Sequence, residues 1–421
     1  MRIAYFTHYF PPETNAPAAR VYEQARALVR RGHQVHVVTG QPNHPRGLVY
    51  DGYRALSYRE EVLDEIIVHR CPMYPAANRG VVRRSAAFLA LPASQLVLAP
   101  WCVPDIDLVL ATSPQILTGV AGVGFARMRR VPFFLEVRDL WPESIVAVGA
   151  LPATHPVVRA LERLEHHLYN AARGVVVTAE SFIRHLEHHG VARSNVALVP
   201  NGVDTRLFSP ERAPAAIRER LGIPANAFVV LFCGVIGLAH DVGLLARAIA
   251  RMRSDEVERD NDMPVHAVIV GDGADRHNVA SEIHGLHVED RVHLLEPVPR
   301  DHVPGLLAAA DASIVLLRDH ATFRGVLPSK MFEAMAMRRP IVLGVEGEAK
   351  ALVERAGAGL PFRPGDAGDL VRCIRCLVQI GAAARERLGQ NGAAYVAEHH
   401  DRDKLGHTLE RFLITRCHTA P

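Results

Sequence analysis

The sequence has little of several features that mark special classes of protein. Its six cysteines are scattered at positions 71, 102, 233, 373, 376 and 417, which is no disulfide framework and predicts reduced thiols. The formal net charge is only +3, too small to predict a nucleic-acid-binding protein. Repeats and low-complexity tracts are missing, and the first residues are strand-like rather than typical of a signal peptide, which predicts a cytoplasmic protein.

Several site motifs are absent or stand in the wrong context. No G-x-G-x-x-G follows the first predicted strand, which argues against a nicotinamide dinucleotide there, and Gly122-Val123-Gly124 lies in a predicted helix as a packing feature. Asp105 and Asp107 stand at the amino end of a strand, where such sheets carry no chemistry. Cys373-x-x-Cys376 has no second pair, so packing is favoured over metal. The paired histidines at 166/167, 188/189 and 399/400 are also expected to lie on solvated faces and to bind no metal.

What is present indicates an α/β protein with two domains. The chain has 421 residues, more than one core accommodates and enough for two domains of about 200. Residues 2–6 form a predicted buried strand, 16–31 an amphipathic helix ended by Gly32, and 35–39 a second strand. The same alternation restarts at 229–233, which predicts two Rossmann-like, doubly wound parallel-sheet domains.

One stretch of the second half predicts a phosphate site. Pro328 and Ser329 mark a helix start, with Ser able to cap, and Pro340 ends the helix before a short strand at 341–343. A helix N-terminus presents free N–H groups and partial positive charge, which suit a phosphate. Lys330 in the first turn opposes the helix dipole unless an anion is bound, and Glu333 is placed to accept hydrogen bonds from sugar hydroxyls. An ordinary capped helix with surface charges is the alternative.

Other candidate residues follow predicted strands. Gly234, Gly237, Gly271 and Gly273 would let a ligand approach the backbone in the second half, which therefore looks like a nucleotide-binding domain. In the first half, strand 131–137 is followed by charged residues and a tryptophan, suited to holding an acceptor hydroxyl or a phosphate: Arg138, Asp139 and Trp141. Loop 11–15 would lie at the mouth of a cleft. For loop 39–53 two interpretations stay open: Asn43, His44 and Arg46 face a substrate, or the loop is purely structural.

Residues 79–103 form the most hydrophobic segment. Arg79, Arg83 and Arg84 precede an uncharged stretch that Pro92 and Pro100 interrupt, so a full membrane crossing is not expected. Two interpretations stay open at this point: an amphipathic helix lying on a membrane surface, and a buried core helix.

Seven motifs together resemble glycosyltransferase family 4, and within it the bacterial fucosaminyl- and colanic-acid-type transferases. They are YFPPETNAPAAR (9–20), RGHQVHVVTGQPNHPRG (31–47), EVRDLWPES (136–144), PNGVD (200–204), GVIGLAHD (234–241), VGDG (270–273) and PSKMFEAMA (328–336). The resemblance implies the GT-B architecture, in which two domains face a central cleft. It assigns residues 1–203 to acceptor binding, 204–395 to nucleotide-sugar binding, and 396–421 to a C-terminal helix that packs back toward the first domain.

The resemblance also implies roles for individual residues. Catalytic roles fall to Asp139, Arg138 and Glu333. Donor binding falls to Gly234, Ile236, Gly237, Gly271, Gly273, Val298, Arg318, Arg324, Leu327, Pro328, Ser329, Lys330 and Glu333. Acceptor binding falls to Glu13, Thr14, Asn15, Asn43 and Trp141.

The sequence departs from the family pattern in two places. Gly325 stands where the paired-glutamate pattern has its first glutamate, and the usual Arg and Lys are missing from 238–241. Positive charge is then expected from Lys330, Arg318 or Arg324.

The expected function is transfer of a sugar from a nucleotide-diphosphate sugar, UDP-linked, with retention at the anomeric carbon and no required metal. The acceptor is expected to be lipid-linked or a saccharide in cell-surface polysaccharide synthesis, with peripheral contact at the inner membrane face. Two alternatives are a sugar-nucleotide epimerase of the same fold and a sugar-nucleotide-binding scaffold without catalysis.

Overall fold

A computed structural model describes residues 1–13, 15–44, 47–75, 81–113, 115–147, 151–211, 215–254 and 263–418. The chain forms two compact units: unit 1 holds Met1–Pro200 and the chain from Arg402 onward, and unit 2 holds Asn201–Asp401. The sequence placed the first boundary at 203/204 and began the C-terminal helix at 396. The observed division falls slightly earlier at the first boundary and slightly later at the second.

Unit 1 is built on an eight-stranded sheet with the order β3-β4-β2-β1-β5-β6-β7-β8. The strands are β1 (Arg2–Phe6), β2 (Gln34–Gly40), β3 (Arg59–Leu63), β4 (Ile66–Cys71), β5 (Leu108–Thr112), β6 (Phe133–Val137), β7 (Gly174–Val177) and β8 (Val196–Leu198). All neighbours pair in parallel except β3 and β4, which are antiparallel. The parallel sheet was predicted, but the β3–β4 hairpin was not, because its edge strand is charged and largely exposed.

Helices cover the unit 1 sheet and follow the strand ends. They are α1 (Ala16–Val29), α2 (Val81–Cys102), α3 (Ile116–Arg129), α4 (Glu143–Ala147), α5 (Pro156–Ala171) and α6 (Glu180–His188). Successive residues of β1 point to opposite faces, so Ile3 and Tyr5 enter one core and Ala4 and Phe6 the other. Both faces are therefore buried, which explains why the strands are hydrophobic throughout.

Unit 2 has a six-stranded parallel sheet with the order β11-β10-β9-β12-β13-β14. Its strands are β9 (Phe228–Cys233), β10 (Val265–Val270), β11 (Val292–Leu295), β12 (Ala312–Leu316), β13 (Ile341–Gly344) and β14 (Gly359–Pro361). Its helices are α7 (Ile217–Arg220), α8 (Gly243–Ser254), α9 (Arg276–Gly285), α10 (Val303–Ala309), α11 (Ser329–Ala336), α12 (Glu348–Ala356), α13 (Ala367–Gln379) and α14 (Gly381–His399).

The last helix, α15 (Arg402–His418), belongs to unit 1. Arg402 forms an ion pair with Glu23 of α1, and Leu409 and Leu413 are buried in the same core as Ile3. The Phe412 ring fills the space where a side chain at position 174 would lie, 2.6 Å from the place of a Cβ. The helix thus completes one face of the unit 1 sheet.

Several expectations about individual segments can now be compared with the structure. Gly122 lies within α3 against Ala111, as expected for a packing feature. Cys373 is buried inside α13, and the six cysteines are free. Asp107 accepts hydrogen bonds from the backbone and side chain of Arg2, which gives it a structural partner.

The hydrophobic segment forms α2, which packs on the unit 1 sheet through Leu91, Gln95 and Ala99. Its opposite side carries exposed apolar residues: Leu89, Val97 and Trp101, the last 86% exposed. The buried side fits the interpretation as a core helix, and contact of the exposed side with a membrane stays a prediction. Arg79 and the side chains of Arg83 and Arg84 lie outside the described residues. Among the described helices, none is both long and apolar enough to cross a membrane.

Candidate active site

The candidate donor site of unit 2 forms where β9 ends and α11 begins. Helix α11 starts at Ser329 with Pro328 as its N-cap, and no side chain caps it. The expectation that Ser329 caps the helix is therefore wrong, because Ser329 is already the first helical residue. Without a side-chain cap, the first N–H groups of α11 are available to an anion.

Lys330, the second residue of α11, carries a buried ammonium group that lies against the end of β9. Its Nζ atom is buried and has no hydrogen-bond partner among the described residues. It lies 4.0 Å from the centre of the Phe232 ring, and a Cβ at position 234 would lie 3.1 Å from it, so glycine makes room for it. Burial lowers the pKa of Lys330 to about 8, partly opposed by Cys233 and Glu333. A buried cation without an acceptor is destabilising, and an anionic ligand would supply that acceptor.

Glu333 lies one turn further along α11 and is paired with a basic side chain. Its Oε1 atom is 3.3 Å from Nη2 of Arg300, whose guanidinium also lies over the Phe208 ring at 5.7 Å from its centre. The Glu333 side chain is 19% exposed, so it can meet a ligand. The arrangement fits the predicted contact to sugar hydroxyls, which stays a prediction.

The turns after β9 and β10, whose glycines were predicted to bind the donor, pack against each other. The Ile236 N–H donates to the Asp272 carbonyl at 2.9 Å, and the Ile236 carbonyl accepts from the Asp275 N–H at 3.0 Å. Gly271 has φ +155°, and a Cβ there would lie 1.9 Å from the Gly234 carbonyl oxygen, so only glycine fits. Close packing between the turns therefore accounts for the glycine at position 271, and for the glycine at position 273 beside Ile236, without a ligand. Ile236 itself is fully buried and its backbone groups are bonded, which leaves it little to offer a donor.

The remaining predicted donor residues are spread around this centre. Arg318 donates from Nε to the Leu238 carbonyl at 2.5 Å and so holds the turn that contains Gly237. Arg324 is exposed and pairs with Asp319 at 3.4 Å. The Leu327 carbonyl accepts from Nδ2 of Asn201 at 2.9 Å. Val298 borders a groove of about 790 Å³ that Gly305 and Leu306 also line.

His240 and Arg300 belong to this site but were not predicted. The His240 ring stands edge-on to Phe232, with 6.4 Å between the ring centres. Burial and the nearby charge of Lys330 lower the pKa of His240 to about 3, so the ring is neutral. His240 could have been predicted from the sequence, because it lies in the GVIGLAHD motif shortly after the glycine turn. Arg300 could not, because the segment Val298-Pro299-Arg300 resembles no ligand-binding motif.

In unit 1, a buried polar network supports the second candidate region. Arg20 and Glu136 form an ion pair at 2.8 Å with side chains only 2% and 1% exposed. Glu136 also accepts from Tyr5 Oη and from Gln24 Nε2, both at 2.9 Å. Burial alone would raise the pKa of Glu136, but the charges of Arg20 and Arg138 outweigh it and lower the pKa to about 2. The sequence analysis did not identify Arg20 or Glu136, although both lie in quoted motifs.

The loop after β6 carries the predicted catalytic residues Arg138 and Asp139. The Arg138 N–H donates to Ser113 Oγ at 2.9 Å, while its Nε and Nη1 atoms are buried and have no hydrogen-bond partner among the described residues. Burial lowers the pKa of Arg138. Burial also raises the pKa of Asp139, and the positive charge of Arg138 opposes that rise. Trp141 is half-buried against the core. This loop therefore holds a guanidinium with unused donors, which suits an anionic or hydroxyl ligand.

The predicted acceptor residues of the β1 and β2 loops have structural roles in the described structure. Glu13 accepts from the N–H groups of Asn43 and His44 at 3.0 and 2.9 Å and so ties the two loops together. Burial raises the pKa of Glu13 to about 7. Asn15 caps α1 through the Ala18 N–H at 2.8 Å, and its Nδ2 is buried with no described partner. Thr14 lies outside the described residues.

Comparison with known families assigns both units. A model described as "Glycosyl transferase 4-like domain" matches residues 15–202, and one described as "Glycosyl transferases group 1" matches residues 227–379. The chain belongs to the GT-B glycosyltransferases of the family 4 type. The predicted family is thereby confirmed.

Relatives of this glycosyltransferase carry two kinds of name. The D-inositol 3-phosphate glycosyltransferase of Kineococcus radiotolerans is 31% identical over 256 residues, 59% of this chain and 57% of that protein. A glycosyl transferase assigned to colanic acid biosynthesis, WcaI of Escherichia coli K12, is 22% identical over 356 residues, 82% of this chain and 84% of that protein. The match thus spans a little over half the length of the first relative.

A solved structure confirms the predicted fold of this glycosyltransferase. Anabaena Alr3699/HepE in complex with UDP-glucose superposes with a TM-score of 0.73 at 19% identity, covering 99% of this chain and 100% of that one. At this identity the likeness concerns the fold alone. It agrees with the two Rossmann-like parallel sheets described above.

Proposed function

We propose that the protein transfers a sugar from a UDP-sugar to a lipid-linked or saccharide acceptor. The observation that carries the proposal is the buried ammonium of Lys330, which has no described partner at the uncapped start of α11. A diphosphate would satisfy both groups, because it accepts hydrogen bonds from the N–H groups and pairs with the cation. The complex of HepE with UDP-glucose supports a uridine nucleotide, and WcaI supports a role in cell-surface polysaccharide synthesis.

The proposed chemistry asks mainly for charge stabilisation. The bond between the anomeric carbon and the β-phosphate oxygen breaks, and the acceptor oxygen forms the new bond with retention. The acceptor proton passes to the departing diphosphate. Lys330 and the N–H groups of α11 stabilise the charge that develops on the diphosphate, without a required metal. In unit 1 we assign Arg138 and Asp139 to the acceptor hydroxyl.

The exposed apolar side of α2 supports a peripheral membrane contact in unit 1. Leu89, Val97 and Trp101 recur at helical spacing on this side, and the stretch 85–103 contains no charged residue. Tryptophan is favoured at the boundary between lipid and water. A lipid-linked acceptor would lie at a membrane surface, so contact of α2 with the membrane would bring the protein to an acceptor of this class.

A donor panel tests the proposal. UDP-, GDP- and ADP-sugars are incubated with polyprenyl phosphate-linked sugars, free saccharides and inositol 3-phosphate, and products are identified by mass spectrometry. We expect a UDP-sugar to give one glycosylated product whose formation Lys330→Met reduces and Lys350→Met leaves unchanged. Conversion of the donor to an epimer without transfer would favour an epimerase. Tight UDP-sugar binding without turnover on any acceptor would favour a scaffold.

A further inference from the structure

Three metal-binding side chains converge in unit 1, apart from the residues assigned above. Glu165 of α5, His185 of α6 and His189 directly after α6 each place one potential ligand atom within 4.8 Å of the others. Among the described residues this is the one group of three or more such side chains. The sequence analysis expected the 188/189 pair to be a solvated face, and this is wrong for His189, which is half-buried.

The Nδ1 contacts of both histidines favour the tautomer that leaves a lone pair on Nε2 for a metal. Nδ1 of His189 lies 2.8 Å from the His185 carbonyl oxygen, and a carbonyl only accepts, so Nδ1 carries the hydrogen and Nε2 keeps a lone pair. Nδ1 of His185 lies 3.5 Å from the Glu143 carboxylate, which favours the same tautomer. The Nε2 atom of His185 is buried and has no hydrogen-bond partner among the described residues. Metal-bound histidines commonly have this second hydrogen bond to a carbonyl or carboxylate.

Glu165 supplies an oxygen to the same place. Its carboxyl group is buried, and Tyr169 Oη donates to Oε1 at 2.5 Å. Tyr169 stands edge-on to both imidazoles, 6.5 Å from His185 and 6.1 Å from His189 between ring centres, and so closes one side of the group. No described basic side chain forms a salt bridge with Glu165, so a bound metal ion would be the cation that its carboxylate lacks.

We propose that Glu165, His185 and His189 bind one transition-metal ion of the Zn²⁺ class. Two imidazoles and one carboxylate are a common ligand set for zinc, whereas magnesium prefers oxygen ligands alone. Zinc–ligand bonds of about 2.0–2.1 Å place tetrahedral ligands about 3.3 Å apart. Small rotations of the three side chains would bring the ligand atoms, which lie within 4.8 Å of one another, to that separation. A water molecule would occupy the fourth position.

The ion would position the loop after β6 rather than take part in sugar transfer. Glu143 begins α4 and lies two residues after Trp141 in the EVRDLWPES motif. A metal bound at Nε2 fixes the His185 ring, and Nδ1 of that ring then holds the Glu143 carboxylate. The site therefore couples the start of α4 to α5 and α6.

Metal content of the untagged protein tests the site. After loading with ZnSO₄ and gel filtration, we expect about one zinc per chain in the wild type and in His188→Gln, and a loss of at least tenfold in His185→Gln and His189→Gln. His188 is the matched control because it is exposed, on the same helix and outside the group. Substitution with Co²⁺ should give the visible absorption of a tetrahedral site in the same two proteins only. Less than 0.1 zinc per wild-type chain, or equal retention in all variants, would overturn the proposal.

The positioning role has its own measurement. The chain has two tryptophans, so Trp101→Phe leaves Trp141 as the only tryptophan, and excitation at the red edge of tryptophan absorption avoids the tyrosines. Addition of Zn²⁺ should shift the Trp141 emission in this background, and His185→Gln should abolish the shift while circular dichroism stays unchanged. Zinc binding without a change in emission would refute the positioning role. Neither measurement depends on transferase activity, so failure here is distinct from failure of the proposed function.

Discussion

At the scale of single residues, the role proposed for Lys330 comes with a cost in stability. Its ammonium is buried beside Phe232 without a described acceptor, so the folded protein without ligand carries a buried charge that lacks hydrogen bonds. Sites that hold a charge ready for a ligand are commonly destabilising for the same reason. The two properties can be separated by one substitution.

Lys330→Met is expected to weaken UDP binding at least tenfold, about 1.4 kcal/mol, because the cation facing the diphosphate is lost. The same substitution should raise the melting temperature without ligand, because methionine fills the space without a buried charge. Isothermal titration calorimetry and thermal denaturation measure the two effects. Lys350→Met is the control, since Lys350 forms a half-exposed pair with Glu346 on α12. Unchanged UDP affinity in Lys330→Met would refute the site.

UDP affinity should fall as the pH rises through about 8. The pKa of Lys330 is lowered to about 8, so above this pH the free protein loses the charge that attracts the diphosphate. Binding of the anion favours the charged form, so a proton should be taken up on binding near pH 8. Titrations from pH 6.5 to 9.5 check this, with Lys330→Met expected to lack the decline. An equally steep decline in the variant would assign it to another group.

Glu136→Gln is expected to destabilise the protein by about 3 kcal/mol, because it leaves the charge of Arg20 buried without its partner. The pKa of Glu136 is lowered to about 2 from 4.5, so its stabilising contribution is present above pH 4.5 and is lost as the pH falls toward 2. Denaturant unfolding at pH 7 and pH 3.5 should show a smaller difference between wild type and variant at the lower pH. Exposed Glu296→Gln should have little effect at either pH.

Sequence motifs predicted some residues of the site and could not predict others. Lys330 and Arg138 were identified because they follow a helix start and a strand end, where ligands commonly bind. Glu136 was missed because a carboxylate inside a buried strand is explained only by Arg20, which is 116 residues away and meets it through folding. The roles of Gly271 and Glu13 also depended on the structure, since each is explained by a contact with another loop.

At the scale of elements, the two sides of α2 lie in different surroundings. Its inner side packs through Leu91 and Ala99, while its outer side exposes Leu89, Val97 and Trp101. The sequence predicted the hydrophobic segment correctly but could not separate its two sides, because apolar residues occur on both. The β3–β4 hairpin was missed for the opposite reason: its edge strand has too few apolar residues.

Trp101→Ser is expected to reduce binding to vesicles at least fivefold, because the indole is the largest exposed apolar group on α2. Co-sedimentation with vesicles of phosphatidylethanolamine and phosphatidylglycerol measures this. Val62→Ser is the control, since Val62 is an exposed apolar residue on β3. If the wild type and both variants sediment no more than a vesicle-free sample, the proposed membrane contact is refuted.

At the scale of the whole molecule, the hydrophobic cores are separate. Two clusters lie on the two faces of the unit 1 sheet, and two others lie on the faces of the unit 2 sheet. Each core therefore forms within its own unit, which is what independent folding units require.

Urea unfolding should show two transitions, and UDP should raise the midpoint of only one of them. The proposed donor residues lie in unit 2, so mass action is expected to stabilise that unit by the free energy of UDP binding. Hydrogen exchange with mass spectrometry assigns each transition to its peptides. Equal protection of β1 and β9 by UDP would contradict assignment of the nucleotide to unit 2 alone.

The membership of α15 in unit 1 sets an order for events during synthesis. Ribosomes release the chain from its N-terminus, so all residues of unit 2 emerge before Leu409 and Leu413 can join Ile3. The unit that begins first is consequently finished last. Until translation has passed α15, nascent unit 1 lacks part of the cover for one face of its sheet, and this exposed surface is where a chaperone would be expected to bind.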